Sequence, residues 1–89
     1  MTRQEINELA DYLSEVVDHI PRGANSLVFD ALCFATFELR AAAGPGLRAP
    51  SYQQALTFAK SVPKFEDLDG ADFMIWLMND KEHLKYYPL

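Results

Sequence analysis

Ser26-Leu-Val-Phe-Asp-Ala-Leu-Cys-Phe-Ala-Thr-Phe-Glu-Leu-Arg-Ala-Ala-Ala43 is the stretch whose reading decides the fold. Its alanines and leucines favour helix, and its polar side chains are confined to Ser26, Asp30, Thr36, Glu38 and Arg40. At about 100° per residue, Val28, Ala31, Leu32, Ala35, Leu39 and Ala42 share one broad apolar face. Phe29, Cys33 and Phe37, four apart, lie on the opposite side with Asp30 and Arg40. A helix apolar nearly all round either sits centrally in its fold or buries a second face against a partner. The remaining segments are read as helices closing around this one.

Upstream, residues 2–20 predict an amphipathic helix. Thr2 and Glu5 form a capping box, and Ile6, Leu9, Ala10, Leu13, Val16, Val17 and Ile20 keep the helical period. Glu5, Glu8, Asp11, Glu15 and Asp18 make the other side acidic, with Arg3 as the one basic residue. Pro21 and Gly23 break the chain, and Asn25 or Ser26 supplies the next cap. So short a link favours an antiparallel helix pair.

Downstream, Gly44 is expected to take the left-handed cap conformation before Pro45, and Leu47 to Pro50 complete a loop. Ser51 and Gln54 form a second capping box for a helix over 52–62, stopped by Pro63. Residues 64–72 read as an acidic connector carrying Glu66, Asp67, Asp69 and Asp72, with Asp69 as a cap. Phe73-Met-Ile-Trp-Leu-Met78 fits a buried helix or a buried strand by period alone. Helix is preferred, because a strand needs a partner strand and the chain offers none. Asn79 and Glu82 cap a short fifth helix, or the fourth runs on through Lys85. The expectation is an all-α single domain over residues 1–89, built of four helices with a fifth short one as the alternative. Regular bundle and irregular packing both stay open.

The 89 residues carry a net charge of −5, which argues against direct wrapping of nucleic acid. With 49% hydrophobic and 12% aromatic residues, the composition is that of a folding chain. One cysteine excludes an internal disulfide and a zinc pattern, and suits a reducing compartment. No apolar signal region or membrane-length run is present, so a cytoplasmic protein without membrane attachment is expected.

No catalytic pattern emerges. The 67–72 segment puts glycine and glutamate in neither register of a calcium loop, so it reads as capping charge. Cys33 among phenylalanines reads as a small buried hydrophobe, and His19 as a residue placed for the helix dipole. Phosphate loops, paired helical histidines and nucleophile elbows are missing, so the chain reads as a non-enzyme with no cofactor and no metal site.

Gly23-Ala-Asn-Ser26-Leu27 resembles the serine motif of acyl and peptidyl carrier proteins, which are small, acidic and four-helical. That resemblance implies a phosphopantetheine arm on Ser26. The chain departs from it by placing Asn25 where carriers have aspartate, and by its much shorter preceding loop.

Two features point outward. Carboxylates three or four apart on the first helix lie about 5–6 Å from one another, close to phosphate spacing along a strand. Large apolar side chains are also in surplus: Phe29, Phe34, Phe37, Phe65, Phe73, Trp76, Tyr86 and Tyr87. The expected function is an acidic protein–protein interaction module that meets a basic partner, similar in type to nuclease inhibitors, immunity proteins and phage-encoded antagonists. Glu5, Glu8, Asp11, Glu15, Asp18, Glu66, Asp67 and Asp69 would steer the encounter, and Phe29, Phe37, Tyr86 and Tyr87 would hold it. The alternatives are the carrier modified at Ser26 and a homodimer hiding the Phe29/Cys33/Phe37 stripe.

Overall fold

The structure, a computed structural model, describes residues 2–21, 23, 25–44 and 52–79. Among these, four helices and no strand occur: α1 (Arg3–Asp18), α2 (Ser26–Ala43), α3 (Tyr52–Ser61) and α4 (Gly70–Asn79). Phe73 to Met78 is therefore helical. The Ser51 end of the second capping box, the loop from Pro45 to Pro50 and the fifth-helix segment from Asp80 onward lie outside the described residues.

Each start is set by a side chain that satisfies free amides. Glu5 N–H donates to Thr2 Oγ1 at 3.1 Å, and Thr2 N–H donates to Glu5 Oε1 at 3.2 Å, completing the capping box of α1. The Thr2 backbone N–H foremost, and then the Thr2 side chain, hold the Glu5 carboxyl below its usual range. Asn25, not Ser26, caps α2, its Oδ1 accepting from Leu27 and Val28 N–H at 3.0 and 3.4 Å. Asp69 caps α4, accepting from Asp72 N–H at 2.8 Å. The turn between α1 and α2 passes through Gly23 at φ +86°, a conformation that L side chains avoid.

One end departs from expectation. Gly44 has φ −78° and ψ −177°, extended instead of left-handed, and closes α2 with an N–H to Ala41 C=O bond of 3.2 Å. Pro45 explains this, since the residue before a proline is pushed toward extended backbone. The proline overrides the glycine's freedom.

α2 packs against α1 and against α3. It contributes Val28, Ala31, Leu32, Ala35, Leu39, Ala42 and Ala43 to the core, with Ile6, Ala10, Leu13 and Val16 from α1. α3 adds Tyr52, Ala55, Phe58 and Ala59. Alanines at 31 and 35 let neighbouring helices approach, while each buried Leu, Ile or Phe contributes about 1.5–3 kcal/mol. α4 contributes buried Phe73 and Leu77. An aromatic chain ties it to α1: Tyr12 to Phe65 at 5.4 Å, Phe65 to Phe73 at 4.7 Å, Phe73 to Trp76 at 5.8 Å. No described helix is long and apolar enough to cross a membrane.

Candidate interaction surfaces

The five α1 carboxylates anticipated as a steering face are all exposed, but they divide into four environments. Glu5 and Glu8 border a groove of ≈ 380 Å³ whose other side carries Lys60 and Lys64. Asp11 pairs with Arg40 of α2 at 2.9 Å, and the same guanidinium nitrogen donates to Ser14 Oγ at 3.4 Å. With side chains 46% and 69% exposed, that pair contributes little to stability but does neutralise the middle of the face. Asp18 ends the helix, exposed.

Glu15 belongs to a different group. Tyr12 lies one turn before it, and the negative charges of Glu15, Asp67 and Glu66 all act on the Tyr12 hydroxyl. Its proton is held mainly by burial, which with those carboxylates outweighs the Phe65 amide bond and pushes the phenol above its ordinary 10.0. Glu15 of α1 and the acidic pair at 66 and 67, far apart in sequence, thus lie within electrostatic reach of one hydroxyl. Lys64, its ammonium 3.9 Å from the Tyr12 ring centre, offsets part of this charge. Asp69 lies further along, lining a cleft of ≈ 470 Å³ with His19, Phe65, Leu68, Phe73 and Met74. His19 Nδ1 is 2.8 Å from the Glu15 carbonyl oxygen, and its ring is 4.8 Å from that of Phe65. It serves the helix end and the aromatic cluster.

The aromatic surplus also divides. Phe58 and Phe73 are core, and Phe65 and Trp76 are half-buried. On α2, Leu27, Phe29, Phe34 and Phe37 are 50%, 41%, 52% and 69% exposed, and Cys33, expected to be buried, is exposed beside them because it lies on the side of α2 away from the core. The Cys33 thiol is pushed above its ordinary 9.0 by partial burial and then by Asp30. Ile75 and Met78 are exposed on α4. Tyr86 and Tyr87 lie outside the described residues. Ser26 is exposed at the first position of α2, beside the Asn25 cap. Among the described residues, no cluster of His, Cys, Asp and Glu could hold a metal ion.

Sequence reasoning missed Arg40 as a partner of Asp11, the lysines facing Glu5 and Glu8, and Tyr12 as the junction of α1 with the connector. No local signal carries these, since the pairs are 29 and 53 residues apart for Arg40–Asp11 and Phe65–Tyr12. No protein-family model matches the chain, and neither a curated protein nor a solved structure does.

Proposed function

We propose that this chain is an acidic protein–protein interaction module, organised around α2, that acts by occupying a basic surface on a protein partner. An inhibitor or immunity-type role in a cytoplasmic setting fits that mode of action. The observation that carries the reading is the convergence of Glu15 with Glu66 and Asp67 around Tyr12. An exposed group of like charge raises the local concentration of a basic partner and speeds its encounter. The reading also narrows the steering surface. Glu5 and Glu8 share a groove with Lys60 and Lys64, and Asp11 pairs with Arg40, so nearby cations offset part of their charge. Glu15, Asp18, Glu66 and Asp67 make no ion pair among the described residues, with Lys64 over the Tyr12 ring offsetting only part of the field there.

Capture from host lysate on the immobilised chain, at low and high salt, supplies the partner, and association rates then test the surface. With the captured partner, Glu15→Lys/Glu66→Lys/Asp67→Lys should slow association by about tenfold or more and flatten its salt dependence. Glu5→Lys/Glu8→Lys should change it far less. Equal effects from both sets, or none from the first, would remove the electrostatic mechanism.

A further inference from the structure

Phe29, Asp30, Cys33, Phe37, Arg40 and Ala41 are all exposed and span about 120° of the α2 surface. Their order along the helix is its own complement when reversed. Phe29 and Ala41, Asp30 and Arg40, and Cys33 and Phe37 are each pairs centred on position 35. We propose that this face binds a second copy of the chain, α2 against α2 in antiparallel register about a two-fold axis at the level of position 35, on the side of α2 opposite the buried Ala35.

In that register Phe37 lies against Cys33 of the second copy near the middle of the seam, a large ring against a small residue, while Phe29 and Ala41 flank it on opposite edges at the same level. Such large–small pairing lets two helices approach within the usual 8–10 Å between axes without a clash. The charges match as well. Asp30 of each copy meets Arg40 of the other, twice over by symmetry, as an isologous interface requires. Among the described residues Asp30 has no ion pair of its own. Arg40 spends one terminal nitrogen on Asp11 and Ser14 and keeps its remaining N–H donors for a second carboxylate. In a parallel arrangement in the same register, Asp30 would face Asp30 and Arg40 would face Arg40, so charge selects the antiparallel one.

One helix per copy makes a small interface, at or below about 1,200 Å² in total, so a micromolar dimer is expected. This proposal stands apart from the acidic-surface reading, because the carboxylates at 15, 66 and 67 belong to other elements. Dimerisation would present that surface twice.

Sedimentation velocity over about 1–200 µM tests it, with circular dichroism confirming that each variant is folded. The native chain should pass from monomer to dimer, and Phe37→Asp should raise the dissociation constant by at least about tenfold. Asp30→Arg and Arg40→Asp should each be monomeric alone, yet form a one-to-one heterodimer when mixed, because the mixture restores both charge pairs. A native chain monomeric throughout overturns the proposal and leaves the face to a different protein. A dimer indifferent to Phe37→Asp, or two charge variants that fail to combine, overturns it too.

Discussion

The Tyr12 hydroxyl donates to the Pro63 carbonyl and accepts the Phe65 N–H at 3.1 Å, so one side chain of α1 satisfies two backbone groups of the distant connector. Tyr12→Phe keeps the ring and its contact with Phe65 but leaves both groups unpaired. The expected cost is about 1–3 kcal/mol, since unmade bonds in a half-buried site lose desolvation energy as well. In a chain this size that lowers the melting temperature by about 4–8 °C per kcal/mol. A melt within 2 °C of native, to within about 0.5 kcal/mol, would mean that water replaces the phenol without cost.

The same phenol gives stability a pH dependence. Its folded pKa lies above the ordinary 10.0, so the folded state binds the proton more tightly than the unfolded chain does. Its contribution is complete below pH 10.0 and is lost as pH climbs through the raised folded value. Urea midpoints should therefore fall only above pH 10.0, and Tyr12→Phe should show a shallower fall there. Parallel profiles for the two proteins would place the alkaline loss on other groups.

Two sides of α2 should answer truncation very differently. Leu32 is 0% exposed, and Leu32→Ala should cost about 2–5 kcal/mol through lost burial plus the cavity left. Phe37 is 69% exposed, and Phe37→Ala should stay within about 0.5 kcal/mol under dilute, monomeric conditions. Chemical denaturation at sub-micromolar protein measures both. A large loss at Phe37 would show that its ring supports the monomer itself.

Most of this architecture was legible because its signals are local. Capping pairs such as Thr2 with Glu5 and the period from Val28 to Ala42 lie within a helix or one turn of it, and the structure repeats them. Gly44 misled because two local rules conflict there, and the proline's steric demand on its neighbour prevailed over the glycine's freedom. The candidate surfaces were legible only as residue types. Which carboxylates keep their charge depends on Arg40, Lys60 and Lys64 arriving from other elements, and that is a tertiary property. The outward Phe29/Cys33/Phe37 stripe, by contrast, was readable from four-residue spacing once one face was assigned to the core.

Asn25 and Ser26 separate a structural role from a chemical one. Asn25 Oδ1 accepts two N–H groups of the α2 first turn, so Asn25→Ala should cost about 0.5–2 kcal/mol. Ser26 is exposed and one position past the cap, so Ser26→Ala should leave the melt unchanged. Intact mass after incubation with coenzyme A and a phosphopantetheinyl transferase addresses the carrier resemblance directly. No gain in mass is expected, and a gain abolished by Ser26→Ala would establish a carrier instead.

Cys33 reports on the outer face of α2 without any mutation in the core. Its thiol is exposed, yet partial burial and the Asp30 carboxylate hold it protonated above its ordinary 9.0. At pH 8 it should react with a disulfide reagent more slowly than a free cysteine does, because the thiolate is the reacting form. Asp30→Asn should quicken the reaction, but by less than about tenfold, since the charge is the smaller of the two causes. The rate constant per thiol should also fall as protein concentration rises, because Phe37 of the second copy would cover the sulfur. Asp30→Asn should weaken that protection along with the dimer it helps to align. A thiol as fast as free cysteine at every concentration would show that neither the field of Asp30 nor a second helix lies over this face.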